Sequence, residues 1–162
     1  MKTFGHEALA HEARMTAAGS DPRTTTRTIT ASPPSGGFRR ADIVLEGVDQ
    51  AGRSYEGRVF VNNPSADRAT PRTPDSGYAG AFHVYGHGMQ QRAASANDPE
   101  SPRPRLPITK YIVASDVVRS ALQRTHTLTI TVVSIPAVAQ PHFLRALIVF
   151  DRDSGSAAAT GT

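Results

Sequence analysis

Between residues 41 and 48 the chain reads Ala-Asp-Ile-Val-Leu-Glu-Gly-Val, an apolar run that predicts a first strand. Asp49 to Gly52 supplies a turn, and Ser54 to Asn62 (SYEGRVFVN) returns as a second strand. Alternation there puts Tyr55, Val59 and Val61 on one face, with Glu56, Arg58 and Phe60 on the other. A third strand follows in Ala81 to Tyr85, with Ala81, His83 and Tyr85 facing one way and Phe82 and Val84 the other. Ile108 to Val113 (ITKYIV) makes a fourth. Ser115 to Arg124 reads as a short helix, with Ser115 placed as N-cap and Asp116 suited to the helix dipole. Thr127 to Ile135 (TLTITVVSI) has the strongest β character, with Leu128, Ile130 and Val132 sharing a face. Phe143 to Asp151 (FLRALIVFD) is the last strand.

The segments between and before these strands are polar. Asn63–Ser76 and Met89–Pro107 are proline-containing stretches that predict long surface loops. Residues 4–18 (FGHEALAHEARMTAA) carry helix-forming residues and predict a short, weakly amphipathic helix. Gly19 to Gly37, with Thr24-Thr25-Thr26, Pro33-Pro34 and Gly36-Gly37, predicts a linker. Six strands in antiparallel pairs, one helical crossover and two long loops predict an all-β fold. It is an antiparallel, jelly-roll-like β-sandwich with one short helix and a flexible N-terminal arm. The expected divisions are an arm over 1–37 (weak helix plus disordered linker), a sandwich over 38–152 and a disordered tail over 153–162.

Composition narrows the function classes. The chain has 162 residues, enough to bury a core, yet its hydrophobic fraction is only 38%, so part of the length is expected outside that core. Its net charge is +4, and Lys2 and Lys110 are the only lysines among eighteen basic residues. The arginines are scattered, without the basic patch and interleaved aromatics of a nucleic-acid surface, so no nucleic-acid partner is expected. With no cysteine, disulfides, thiolate metal sites and cysteine nucleophiles are excluded. The N-terminal residues lack an apolar signal core, and no run approaches the ~20 apolar residues of a membrane helix. The expectation is a soluble cytoplasmic protein with no membrane partner.

Candidate chemistry gathers in Ser76 to Gly88 (SGYAGAFHVYGHG). This stretch holds Tyr78 and Tyr85, His83 and His87, and four glycines. His83 and His87 fall on one face of an extended chain, too far apart to chelate one ion unless the backbone bends at Gly86. Two imidazoles would supply half of a tetrahedral site, and no cysteine or adjacent carboxylate completes it. The structural alternative hydrogen-bonds His83 within a sheet and leaves His87 in a turn. Elsewhere, His6-Glu7 and His11-Glu12 lack zinc-protease spacing, because histidines five apart point to different helix faces. Asp98 and Glu100 lie in a proline-rich loop, and His126 and His142 stand singly beside strands. No G-x-S-x-G elbow and no phosphate-binding glycine loop before a helix is present.

Three segments carry a resemblance: Arg39 to Asp49 (RRADIVLEGVD), Ser54 to Pro64 (SYEGRVFVNNP) and Gly77 to Gly88 (GYAGAFHVYGHG). Together they resemble the C-terminal β-sandwich domain of bacterial tyrosinase-family (type-3 copper) proteins, over about Phe38 to Asp151. In that family three histidines hold each of two coppers, mainly from a helical bundle, whereas the six histidines here are scattered over strands and loops. Relatives also continue with cysteine-containing sequence where this chain has Met89-Gln90-Gln91-Arg92. The resemblance therefore implies the accessory domain without the catalytic one: a non-catalytic subunit that covers or modulates the entrance of a copper-dependent phenol oxidase. Copper would belong to that partner, and Tyr78, Phe82, His83, Tyr85 and His87 would face it. Two other readings stay open: an independent metal-binding protein or enzyme with His83 and His87 as ligands, or an orphaned structural domain.

Overall fold

The computed structural model describes residues 9–14, 24–35, 37–50, 52–86, 106–136 and 141–152, the first segment by its backbone alone. Its strands are β1 (Leu9–Arg14), β2 (Thr24–Thr30), β3 (Arg40–Val48), β4 (Tyr55–Val61), β5 (Tyr78–Val84), β6 (Ile108–Val113), β7 (Thr127–Ile135) and β8 (Arg145–Asp151). One helix, α1 (Ser115–Leu122), crosses from β6 to β7. All pairings are antiparallel. The hydrogen-bonded order is β5-β4-β7-β2-β1-β8-β3-β6. The two ends of this order meet: a side-chain atom at Gly80 of β5 would stand 2.8 Å from the Ile112 side chain of β6. The expected β-sandwich is observed.

The strand β1 belongs to both layers. Leu9 to Glu12 pair with β8, then Ala13 and Arg14 pair with β2. One layer is thus β1-β8-β3-β6 and the other β1-β2-β7-β4-β5, with β1 turning the corner between them. Between the layers the inward residues form one core. Ile43 and Leu45 of β3 and Val59 and Val61 of β4 meet Leu128, Ile130 and Val132 of β7 and Ile148 and Phe150 of β8. Each such side chain contributes about 1.5–3 kcal/mol on full burial. The alternation expected for β4 and β7 is the one found.

The N-terminal expectation is overturned. Residues 9–14 form a strand instead of a helix, and Thr24 to Thr30 form an interior strand where a linker was expected. Local propensity favours helix in Leu-Ala-His-Glu-Ala-Arg, but β8 and β2 each offer an unpaired edge to this segment, and tertiary pairing outweighs a weak local preference. In β2 a single large apolar residue, Ile29, enters the core, while β-branched threonines suit the pleat; Thr24, Thr25 and Thr26 are buried. Thr25 Oγ1 donates to the Pro141 carbonyl, and Thr26 and Thr131 hydroxyls meet across the β2–β7 ladder at 3.3 Å. The rest of the 1–37 arm, apart from residues 31–35 and 37, lies outside the described residues, as do most of Met89–Pro107 and the tail 153–162.

The helix start is also corrected. Ala114 occupies the N-cap without a side-chain cap, and Ser115 is the first helical residue. The Ser115 hydroxyl instead accepts from the Ala41 N–H at 3.1 Å, tying the helix to β3. Asp116 does sit in the first turn and pairs with Arg119 at 2.9 Å. Val118 and Ala121 anchor the buried side of the helix.

Candidate functional site

The middle of the glycine-aromatic stretch forms β5, which among the described residues is an end strand paired to β4. Its register sets what each side chain faces. Phe82 stands opposite Gly57, His83 opposite Glu56, and Val84 opposite Tyr55. The Phe82 ring occupies the space a side chain at Gly57 would need, so Phe82 turns inward, 6% exposed, and meets Tyr55 edge-on at 6.2 Å. Phe82 is therefore a core residue and does not belong to an outward, partner-facing set. Its place over Gly57 is what alternation demands, since Val84 beside it is buried as well. Tyr55 is held in this apolar layer, and burial, with Asp49 nearby, pushes its phenol up to about 12.

Outward from the same strand come Tyr78, His83 and Tyr85. Simple alternation would turn Tyr78 inward with Phe82 and Val84, but β5 is irregular between the pairs Val59–Gly80 and Phe60–Tyr78. Ala79 is the extra residue of this bulge, and Gly80 supports it at φ 145°. The bulge returns Tyr78 to the outer face, where its ring meets Phe60 at 5.5 Å. Tyr78 is half-buried there. Tyr85, by contrast, is 72% exposed just beyond the strand, and His83 is exposed between them. The Ser54 hydroxyl accepts from the Gly86 N–H at 3.0 Å and fixes the chain after Tyr85. His87 lies outside the described residues.

Beside His83 is a charged cluster on the outer face of β4. The Arg72 Nη2 donates to Glu56 at 3.0 Å and lies 2.8 Å from its other oxygen. Arg58 Nε approaches Glu56 at 3.5 Å, and its Nη1 donates to the Arg68 carbonyl at 3.1 Å. Two guanidiniums therefore engage the one carboxylate that stands opposite His83. Among the described residues no group of three or more His, Cys, Asp or Glu side chains is placed to hold a metal ion. Among the described residues, the carboxylate opposite His83 is engaged by the two guanidiniums, and His87, the other ligand expected of a metal site here, lies outside the described residues.

Sequence reasoning passed over the loop that covers this face. Asn62, at φ 54°, closes β4 against β7: its N–H donates to the Thr129 carbonyl at 2.8 Å, and its Oδ1 accepts from the Thr129 N–H at 2.9 Å. Asn63 Nδ2 donates to the Ser76 carbonyl at 2.9 Å. Asp67 Oδ1 accepts from the Thr70 hydroxyl and from the Ala69 and Thr70 N–H groups, which holds its carboxyl below the usual range. The loop lays Ala66 over Phe60 and Val133, making a second small apolar cluster with Tyr78 and Ile135 at its margin. The Asn-Asn-Pro after β4 was its signal. A cleft of about 400 Å³ lies where this loop meets α1, lined by Asn62, Asp75, Ser120 and Arg124 among others.

The fold defines the chain as an antiparallel all-β sandwich. No protein-family model and no curated protein matches the sequence. Solved structures do resemble it. A recombinantly expressed latent aurone synthase (polyphenol oxidase) superposes with a TM-score of 0.51 at 14% identity, over 80% of this chain and 25% of that one. Latent aurone synthase from its natural source gives 0.53 at 13% identity, over 88% of this chain and 29% of that one. At this identity the likeness is one of fold. The chain spans roughly a quarter of the length of these proteins.

Proposed function

We propose that this sandwich is a non-catalytic accessory chain for a tyrosinase-type copper oxidase, covering or modulating the entrance to its active site. The observation that carries the proposal is the outward end of β5. Tyr85 is a large aromatic standing in solvent, beside exposed His83, on a strand whose other face is locked into the core. An exposed aromatic anchored by a rigid strand suits insertion into an apolar mouth, and His83 suits the polar surface around it. Two further points support the reading: the fold superposes on about a quarter of the length of the matched polyphenol oxidase chains, and those chains are latent forms. Tyr78 would flank the contact, and His87 follows Tyr85 by two residues. Copper and phenol oxidation would reside in the partner.

The test is retrieval of the tagged full chain from its native host, with copper quantified in what accompanies it and phenol turnover measured with and without the chain. The expected result is a copper-containing oxidase that is slower or has a higher KM in the presence of the chain, with the effect reduced about tenfold or more by Tyr85→Ala, as for a buried aromatic anchor. Turnover indifferent to the chain would refute the proposal.

A further inference from the structure

Tyr85 lies just beyond the last residue of β5, where a strand end ordinarily frays, yet both of its neighbours are held. On one side Val84 stands opposite Tyr55 in the β4–β5 ladder and is 2% exposed, so the core fixes it. On the other side the Gly86 N–H donates to the Ser54 hydroxyl at 3.0 Å. A side chain at Gly86 would run into the Gly52 carbonyl oxygen, so this residue lies directly against the turn between β3 and β4. The backbone at Tyr85 is thereby clamped from two directions, and the ring keeps freedom only about its two side-chain torsions.

Ser54 can serve as a fixed acceptor because the turn that carries it is tied down elsewhere. The Asp49 N–H donates to the His142 carbonyl at 3.1 Å, ahead of β8. Gln50 Nε2 donates to the Leu106 carbonyl at 2.9 Å, ahead of β6. Immediately after Ser54, Tyr55 enters the core with its ring edge-on to Phe82. The turn is thus bonded to the segments that lead into β6 and β8, and it receives the end of β5 on the same base. An exposed aromatic held this way differs from one on a free loop in what docking costs. Ordering a mobile segment consumes interaction energy, and a segment ordered beforehand does not.

We infer that Ser54 and Gly86 are positioning residues for Tyr85, presetting the backbone from which its ring enters a partner's apolar mouth; this rests on the accessory reading proposed above. Both act through Tyr85. Ser54 works through its acceptor oxygen, which threonine also supplies and alanine does not. Gly86 works through the side chain it lacks, which lets the chain settle on the Gly52 carbonyl.

Amide nitrogen relaxation of the labelled full chain tests the clamp, and phenol turnover by the copper oxidase retrieved with the chain tests its use. In the wild type the Tyr85 and Gly86 amides are expected near the ~0.85 order parameter of rigid backbone. In Ser54→Ala and Gly86→Ala they fall below ~0.6, and Ser54→Thr keeps the wild-type value. Ser54 is exposed, so its two variants melt within about 3 °C of the wild type. In turnover, Ser54→Ala requires about three- to tenfold more chain for half of the effect, the size of one lost hydrogen bond, and reaches the same plateau. Ser54→Thr matches the wild type. Mobile Tyr85 and Gly86 amides in the wild type overturn the inference, as does a Ser54→Ala chain as ordered and as potent as the wild type. If Tyr85→Ala abolishes the effect on turnover and Ser54→Ala leaves it intact, the accessory reading stands and the positioning role falls. If turnover ignores the wild-type chain, the accessory reading falls and the inference with it.

Discussion

The two outer faces of the sandwich are finished in different ways. Over β4, β5 and β7 the chain covers itself: Ala66 caps Phe60 and Val133, and the loop doing so is pinned at both ends by Asn62, Asn63 and Gly77. Over β3, β6 and β8 the apolar residues continue outward into Tyr111 and Val113, which stand in solvent. Both faces have a small apolar centre. What separates them, among the described residues, is what borders that centre: residues 62–77 on one side, and on the other the exposed side chains of Tyr111 and Val113. An outward apolar residue therefore has two meanings in one protein. It is core where a loop returns over it, as at Phe60, and solvent-facing at Tyr111 and Val113.

Three substitutions test that distinction. The largest effect is expected from Phe60→Ala, which empties the centre of the covered face; the ring is fully buried, and its loss should cost about 3–5 kcal/mol by chemical denaturation. A cost below ~1 kcal/mol would mean that the loop does not close over Phe60 as described. Next is Gly77→Ala, at the far anchor of the loop. Gly77 has φ 78°, and a side chain there would run into the Val61 carbonyl, the neighbour of the Val61 N–H that donates to Gly77 at 2.8 Å. A destabilisation of about 1–3 kcal/mol is expected, accompanied by faster proteolysis within 62–77. The smallest effect belongs to Tyr111→Ala on the other face, within about 0.5 kcal/mol for the isolated chain. Loss of several kcal/mol there would show that Tyr111 is part of a core and would erase the contrast.

Much of this was legible from residues alone, and the failures have physical causes. In β4 and β7 one face is apolar throughout, so period-two alternation identified Tyr55, Val59, Val61, Leu128, Ile130 and Val132 as inward. In β1 and β2 the strand state comes from edges supplied by β8 and β7, some hundred residues further along, and no local pattern encodes them. At the candidate site, alternation separated His83 from Phe82 correctly. Assigning Phe82 outward ignored Gly57, whose missing side chain is filled by the Phe82 ring. Tyr78 reached the outer face through a bulge, and Gly80 was the only hint of it. The covering loop was read as surface because its few apolar members, Ala66 above all, gain meaning only beneath the asparagine corners that fold it back.

The strand that belongs to both layers also sets a constraint on synthesis. Leu9 pairs with Phe150, so β1 waits for a strand synthesised well over a hundred residues later. Because β8 lies between β1 and β3, the layer carrying Tyr111 stays divided until β8 has left the ribosome, whereas β4, β5 and β7 can join as soon as β7 is available. A growing chain therefore presents Ile43, Leu45 and the strand edge beside them without β8 until some hundred further residues have been made, an interval in which chaperone binding competes with misassociation.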